Sequence, residues 1–280
     1  MGFRLVLPFA ALALLALSAC APPMAIIDVH THPELAASGH GSAAELEAQR
    51  RAANVVFSVG ILHTDDGNLP TPRVENSIYC AGVHESPNLA GIESGLSRGD
   101  YRCIKIYLGY THKYAYDEVY EPVYALAEKY DVPVVFHTGD TDSTRAMLKY
   151  ADPLTVDEVA VRHPKVTFVL AHCGNPWIES AAELAYKNPN VYLDGSAFLV
   201  ADMNKLRRAQ VDRYLVEPLR WILGYIENPD KLMFATDWPL VDIPSYAAAF
   251  KRAIPRKDWQ KVFHDNAVKV FRLERVSPPK

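Results

Sequence analysis

Short apolar runs alternate with longer amphipathic stretches over most of the chain. Ile26 to His30 predicts the first strand. Ala43 to Ala53 is rich in helix formers, and Ser42 is placed to cap it. Asn54 to Val59 predicts a second strand. Leu62 to Asn88 is the least legible region: a polar loop with Pro70 and Pro72, then a helical reading for Val74 to His84. Leu89 to Glu93 reads as a third strand and the alternating Arg102 to Leu108 as a fourth. Val119, Val123, Leu126, Ala127 and Tyr130 recur at helical spacing, and Pro122 belongs in a first turn, so this helix starts near Glu121. Val132 to Phe136 is a fifth strand that ends in His137. After a helix over Leu154 to Arg162, a sixth strand, Val166 to Ala171, ends in His172. Trp177 to Tyr186 is helical, and a seventh strand, Asn190 to Leu193, ends at Asp194. Met203 to Ile226 carries one or two helices broken around Pro218. The eighth strand, Lys231 to Thr236, ends in Asp237, and helices over Pro244 to Ala253 and Trp259 to Leu273 close the chain.

Eight strands with helical connections in about 250 residues predict an α/β fold, a single-domain (β/α)8 TIM barrel over residues 26–275. A doubly wound sheet is the alternative, but no strand runs into a glycine-rich phosphate loop. A composition that is 49% hydrophobic, with 15 Tyr and 4 Trp, supplies a real core. The formal charge of -4 offers no basic patch, which excludes nucleic acid as a partner.

The N-terminal segment reads as targeting rather than fold. Met1 to Arg4 is a short basic start, Leu5 to Leu17 is almost wholly apolar, and Leu17-Ser18-Ala19-Cys20 follows. That ending resembles the bacterial lipobox, which implies a signal peptide over 1–19, lipidation at Cys20, a tether over 20–25 and a place at the cell envelope. The tether is short, and a start at Met24 would instead give a cytoplasmic protein. Cys80, Cys103 and Cys173 show no paired spacing, so the interior is expected to be free of disulfides, with Cys103 and Cys173 as small core side chains.

The candidate chemistry falls at strand ends. His30, His32, His137, His172 and Asp237 lie at the C-terminal ends of four predicted strands, where a barrel gathers its active site. Period-two alternation puts Asp28, His30 and His32 on one face of the first strand. Imidazoles and a carboxylate in one pocket form a donor set for Zn2+ or a similar ion. His40, His63, His84, His112 and His163 fall in loops or helices, where solvent exposure is expected.

Asp28-x-His30-x-His32, Phe136-His137-Thr138-Gly139, Ala171-His172-Cys173-Gly174-Asn175-Pro176-Trp177 and Thr236-Asp237-Trp238-Pro239 together resemble the amidohydrolase superfamily. The likeness is to the branch that includes aminocarboxymuconate-semialdehyde decarboxylase and related decarboxylases and hydrolases. It implies a metal held by His30, His32, His137 and Asp237, with His172 as a catalytic group beside the metal's water. A bound divalent ion lowers the pKa of water from about 15.7 to about 7, and Asp237 is placed to take the water's proton and pass it to a leaving group. One divalent ion is expected, zinc before manganese or iron. The other possibility is a second ion bridged by a carboxylated Lys105.

Lys105, Tyr107 and Trp238 are candidate substrate-binding residues. The expected function is hydrolysis of an amide, cyclic amide, ester or lactone of a small molecule. Non-oxidative decarboxylation of a small carboxylic acid is the alternative, and a ligand-binding lipoprotein without turnover is the non-enzymatic reading.

Overall fold

The computed structural model describes residues 24–38, 41–71 and 73–275. The proposed signal peptide, Cys20 and His40 lie outside the described residues. Eight parallel strands follow one another in chain order around a nearly closed barrel. They are β1 (Ile26–Thr31), β2 (Val55–Ile61), β3 (Ser77–Val83), β4 (Tyr101–Ile106), β5 (Val134–Phe136), β6 (Phe168–Leu170), β7 (Val191–Asp194) and β8 (Leu232–Met233). The longer helices between and after them are α1 (Ala43–Ala53), α2 (Leu89–Arg98), α3 (Glu121–Tyr130), α4 (Asp157–Arg162), α5 (Ile178–Lys187), α6 (Arg208–Val211), α7 (Glu217–Ile226), α8 (Ile243–Ala253) and α9 (Asn266–Val270). No described helix is long and apolar enough to cross a membrane.

Local chemistry accounts for most of these boundaries. The Ser42 hydroxyl accepts from Glu45 N–H and opens α1. Pro122 sits in the first turn of α3, where its missing N–H costs nothing. Pro218 does not break the chain as expected. It falls in the first turn of α7, and a π turn over Asp212–Val216 joins α6 to α7.

One region departs from the sequence reading. Ser77–Val83 is a strand rather than a helix, and Leu89–Arg98 is a helix rather than a strand. Asn88 caps α2 by accepting from Gly91 N–H at 3.0 Å. Gly99, at φ 76°, ends it with backbone bonds to Gly95 and Leu96. Gly91 and Gly95 weaken the helical signal because they serve packing. A Cβ on Gly91 would stand 2.2 Å from the Asp65 carbonyl oxygen, and one on Gly95 would stand 2.3 Å from the Tyr101 ring.

The same shift corrects the cysteine expectation. With β3 in place, Cys80 pairs with Cys103 in the β3–β4 register, and the two form a disulfide across 4.3 Å of Cα separation. Among the described residues Cys173 alone is free, and it is buried.

Two layers of core result. An outer layer joins strands to helices. An inner one fills the barrel with Ile27, Val29, Val59, Ile61, Cys80, Cys103, Val135, Val169 and Met233, joined by Ala267, Val270 and Phe271 of the C-terminal region. β1 and β8 are held by fewer strand bonds than the other neighbours. Val29 N donates to Phe234 O at 3.2 Å, Asp237 N to His30 O at 2.8 Å and His32 N to Trp238 O at 2.7 Å. The Asp28 carboxylate reinforces this seam, accepting from Thr236 N at 3.0 Å and Thr236 Oγ1 at 2.6 Å.

Candidate active site

The strand ends converge on a cavity of about 390 Å3, a size suited to a small molecule. His30 and His32 enter it from β1, Lys105 from β4, and Tyr107, His137, His172 and Asp237 from the residues just after β4, β5, β6 and β8. Strict alternation does not hold along β1. Its register with β2 slips between Asp28 and Thr31, so Asp28 turns to Thr236 while His30 and His32 face the cavity. His172 and Asp237 both have left-handed backbone, at φ 61° and 72°, which turns each side chain inward as its strand ends.

Asp237 is the hub. Its Oδ1 lies 3.1 Å from His32 Nε2 and 3.4 Å from His30 Nε2, and its Oδ2 lies 4.0 Å from His172 Nδ1. His30, His172 and Asp237 each offer a donor atom within 4.8 Å of the others. His137 stands against this group, its Nδ1 3.2 Å from His172 Nε2. His30 Nε2 and Asp237 Oδ1 are buried without a hydrogen-bond partner among the described residues.

Three of the histidines have their protonation fixed from behind. His30 Nδ1 donates to Asp194 Oδ2 at 2.6 Å, His32 Nδ1 to the Ile61 carbonyl at 3.1 Å, and His137 Nε2 to the Asp140 carbonyl at 2.8 Å. Each acceptor can only accept, so each proton is assigned to that side and the other nitrogen keeps its lone pair. His172 differs. Its Nδ1 meets the Ser196 hydroxyl at 2.9 Å, a group that either donates or accepts.

Burial sets the charges. It lowers His32, and it lowers His137 well below the usual imidazole value with help from His172. It takes His172 down to about 4. Burial pushes Asp237 up, but His30, His32 and His172 outweigh it and hold the carboxyl well below its ordinary value. Asp194 is likewise pushed up by burial and brought down to about 2, chiefly by His30.

The remaining expectations divide. Lys105 and Tyr107 line the cavity. Trp238 does not. It is 1% exposed and packs in the outer core against Gly41, because its own backbone is drawn into the β1–β8 seam. His63 and His84 are exposed as expected, yet they line the cavity, and their rings lie within 14° and 6° of the plane of Tyr107. His63 is also bonded to Glu34 and stacks at 5.2 Å on His32. Asp194 and Ser196, which strand-end reasoning offers only as pocket-lining or packing groups, instead support His30 and His172. Their signal was position alone, at and just beyond the end of β7.

The sequence pattern that defines the family described as Amidohydrolase matches residues 87–273, well over half of the chain. The chain belongs to the amidohydrolase family. The matched part of this amidohydrolase carries Lys105, His137, His172, Asp194 and Asp237, while His30 and His32 precede it. Members of this group are enzymes, and this amidohydrolase is one.

Its fold is similar to that of an amidohydrolase from Burkholderia multivorans with bound zinc, at 17% identity and TM-score 0.65, over 89% of this chain and 99% of that one. It is also similar to a probable 2-pyrone-4,6-dicarboxylic acid hydrolase from Acinetobacter baumannii with citric acid bound, at 13% identity and TM-score 0.62, over 89% and 99% of the two chains. A 5-carboxyvanillate decarboxylase from Novosphingobium aromaticivorans complexed with manganese gives 13% identity and TM-score 0.59, over 90% and 97%. At these identities the likeness is one of fold. No curated protein matches the sequence.

Proposed function

We propose that this amidohydrolase is a metal-dependent hydrolase of a carbonyl-type bond in a small molecule. The observation that carries the reading is the two lone pairs on His30 Nε2 and His32 Nε2, each fixed by an acceptor behind it and facing the buried Asp237 carboxylate, with His137 Nδ1, fixed in the same way, against the adjoining His172. The unpartnered His30 Nε2 and Asp237 Oδ1, 3.4 Å apart, fit two ligands of one ion with bonds of about 2.0–2.2 Å. His30, His32, His137 and Asp237 would hold it, with zinc the first choice and manganese or iron the alternatives. The zinc and manganese in the two fold relatives support a divalent ion at this barrel end.

Such an ion, when bound, supplies Lewis-acid polarisation of a substrate oxygen and makes water acidic enough to react near neutral pH. The chain's own groups do the rest. Asp237 Oδ2, on the side away from His32, accepts the proton of the attacking water and delivers it to the leaving group. His172, held between the Ser196 hydroxyl at Nδ1 and His137 at Nε2, orients the water or the substrate carbonyl.

Decarboxylation of a small carboxylic acid on the same residues is the second reading, favoured by the buried ammonium of Lys105 beside the donor set and by the decarboxylase among the fold relatives. The test is a screen of the zinc- and manganese-loaded protein against lactones, amides and aromatic acids, with product analysis. Hydrolysis yields a new carboxyl group, and decarboxylation yields CO2. Activity that survives complete chelation of metal would overturn both.

For location, we propose the bacterial cell envelope, with the chain anchored through Cys20. The Cys80–Cys103 disulfide supports an oxidising compartment over a cytoplasmic product starting at Met24. Mass spectrometry of the N-terminal peptide tests it: a diacylated or triacylated Cys20 is expected, and a peptide beginning at Met24 or Ala25 would refute it.

A further inference from the structure

We propose that Lys105 is an anion-binding group on the cavity wall and that the substrate carries a carboxylate, which this ammonium pairs. The inference rests on the proposed hydrolytic site only for where the reacting bond lies.

Lys105 sits on β4 between the inward-facing Cys103 and Tyr107. It is 0% exposed, it lines the cavity, and its Nζ has no hydrogen-bond partner among the described residues. The Tyr107 ring lies 5.6 Å from Nζ to centroid, and the charges of Asp194 and Asp237 act on the ammonium from farther off. Neither of these carboxylates is hydrogen-bonded or ion-paired to Lys105 among the described residues. Asp194 accepts from His30 and from Ser196 N–H, and Asp237 faces His30, His32 and His172.

The other buried lysine shows what a structural role looks like in this chain. Lys231 donates to the carbonyls of Asn188, Pro189 and Val191, each at 2.9 Å. Lys105 has no such cage. A buried, unpaired ammonium opposes folding, and packing alone would be better served by methionine or leucine. Its one open direction is the cavity, where a substrate carboxylate would find a cation that no water has to be stripped from at length. Burial brings its pKa down to about 8, which leaves it mostly charged at neutral pH. The parallel rings of His63, Tyr107 and His84 beside it make a flat acid the natural probe.

The experiment titrates benzoate and its neutral analogue benzamide into the full protein by calorimetry, in metal-stripped and zinc-loaded forms, with metal content measured per chain. Wild type is expected to bind benzoate at least roughly tenfold tighter than benzamide in the metal-stripped form, which decides the role of Lys105 because no ion there can hold the carboxylate. Lys105→Met, nearly equal in volume and relieved of the buried charge, is expected to fold and to lose that preference. Lys105→Gln repeats the test if the methionine variant does not fold. Equal binding of the two probes, no benzoate binding at millimolar concentration, or a preference that survives in the folded variants would overturn the inference. So would close to two ions per chain held through a carboxylated Lys105. A wild type that binds no metal refutes the proposed hydrolase, yet its metal-free titration still decides the role of Lys105.

Discussion

His30 and Asp194 lie 164 residues apart and meet at 2.6 Å, imidazole Nδ1 to carboxylate Oδ2, in a fully buried contact. The pair sets which nitrogen of His30 faces the cavity. Asp194→Asn keeps the shape but offers an amide that can turn its N–H2 toward His30. Metal affinity, measured by chelator competition, is expected to fall about 10–100-fold with the circular dichroism spectrum unchanged. An affinity equal to wild type would remove Asp194 from the site.

Asp237→Asn separates proton transfer from folding. Asparagine tolerates the φ of 72° at this position, so the melting temperature is expected to stay close to wild type. Turnover is expected to drop by about 10^2–10^4. Undiminished kcat in the variant would refute the proton-transfer role.

Acid should release the metal late. Burial holds His32 and His137 below the ordinary imidazole value of 6.5, so the fold keeps them neutral where an unfolded chain takes up protons. Their contribution to stability is complete above pH 6.5 and declines as the pH falls below it. Dye-monitored metal release is expected to have its midpoint below about pH 6. A midpoint at or above 6.5 would mean that the ligands are more open to water than the geometry shows.

The Cys80–Cys103 bridge closes a sequence separation of 23 residues. Loop-entropy reasoning puts its contribution at about 3 kcal/mol. Replacing both cysteines by alanine should lower the denaturant midpoint accordingly, and intact folded protein should resist thiol reagents because both residues are 0% exposed. Equal midpoints for the two proteins would show that the bridge does not stabilise the fold.

Lys231→Met leaves three backbone carbonyls at the start of β7 without their donor. A loss of about 2–3 kcal/mol is expected in urea unfolding, with activity of the remaining folded protein unaltered. A variant as stable as wild type would mean that water replaces the ammonium.

What could be read in advance followed from strand ends. His137, His172 and Asp237 each close an apolar run, and a parallel barrel brings such ends together whatever their spacing. The β3–α2 region was hidden because Gly91 and Gly95 weaken a helix for the sake of packing. Misplacing β3 concealed the Cys80–Cys103 pairing, since parallel strands join residues at no characteristic interval. His63 and His84 looked like loop histidines and are exposed, but a cavity mouth is also exposed. Asp194, Ser196 and Asp28 act on other side chains, and nothing local in a sequence marks a partner of that kind.

The junction of β1 and β8 gives the barrel a clasp. Asp28 grips Thr236, Asp237 N–H reaches back to His30, and the same two segments carry His30, His32 and Asp237. Whatever occupies the centre therefore also fastens the first stave to the last. Emptying it should loosen the wall along that one line, so that backbone amides of β1 and the Thr236–Trp238 turn exchange with solvent sooner while those of β3 and β4, stapled together elsewhere, do not.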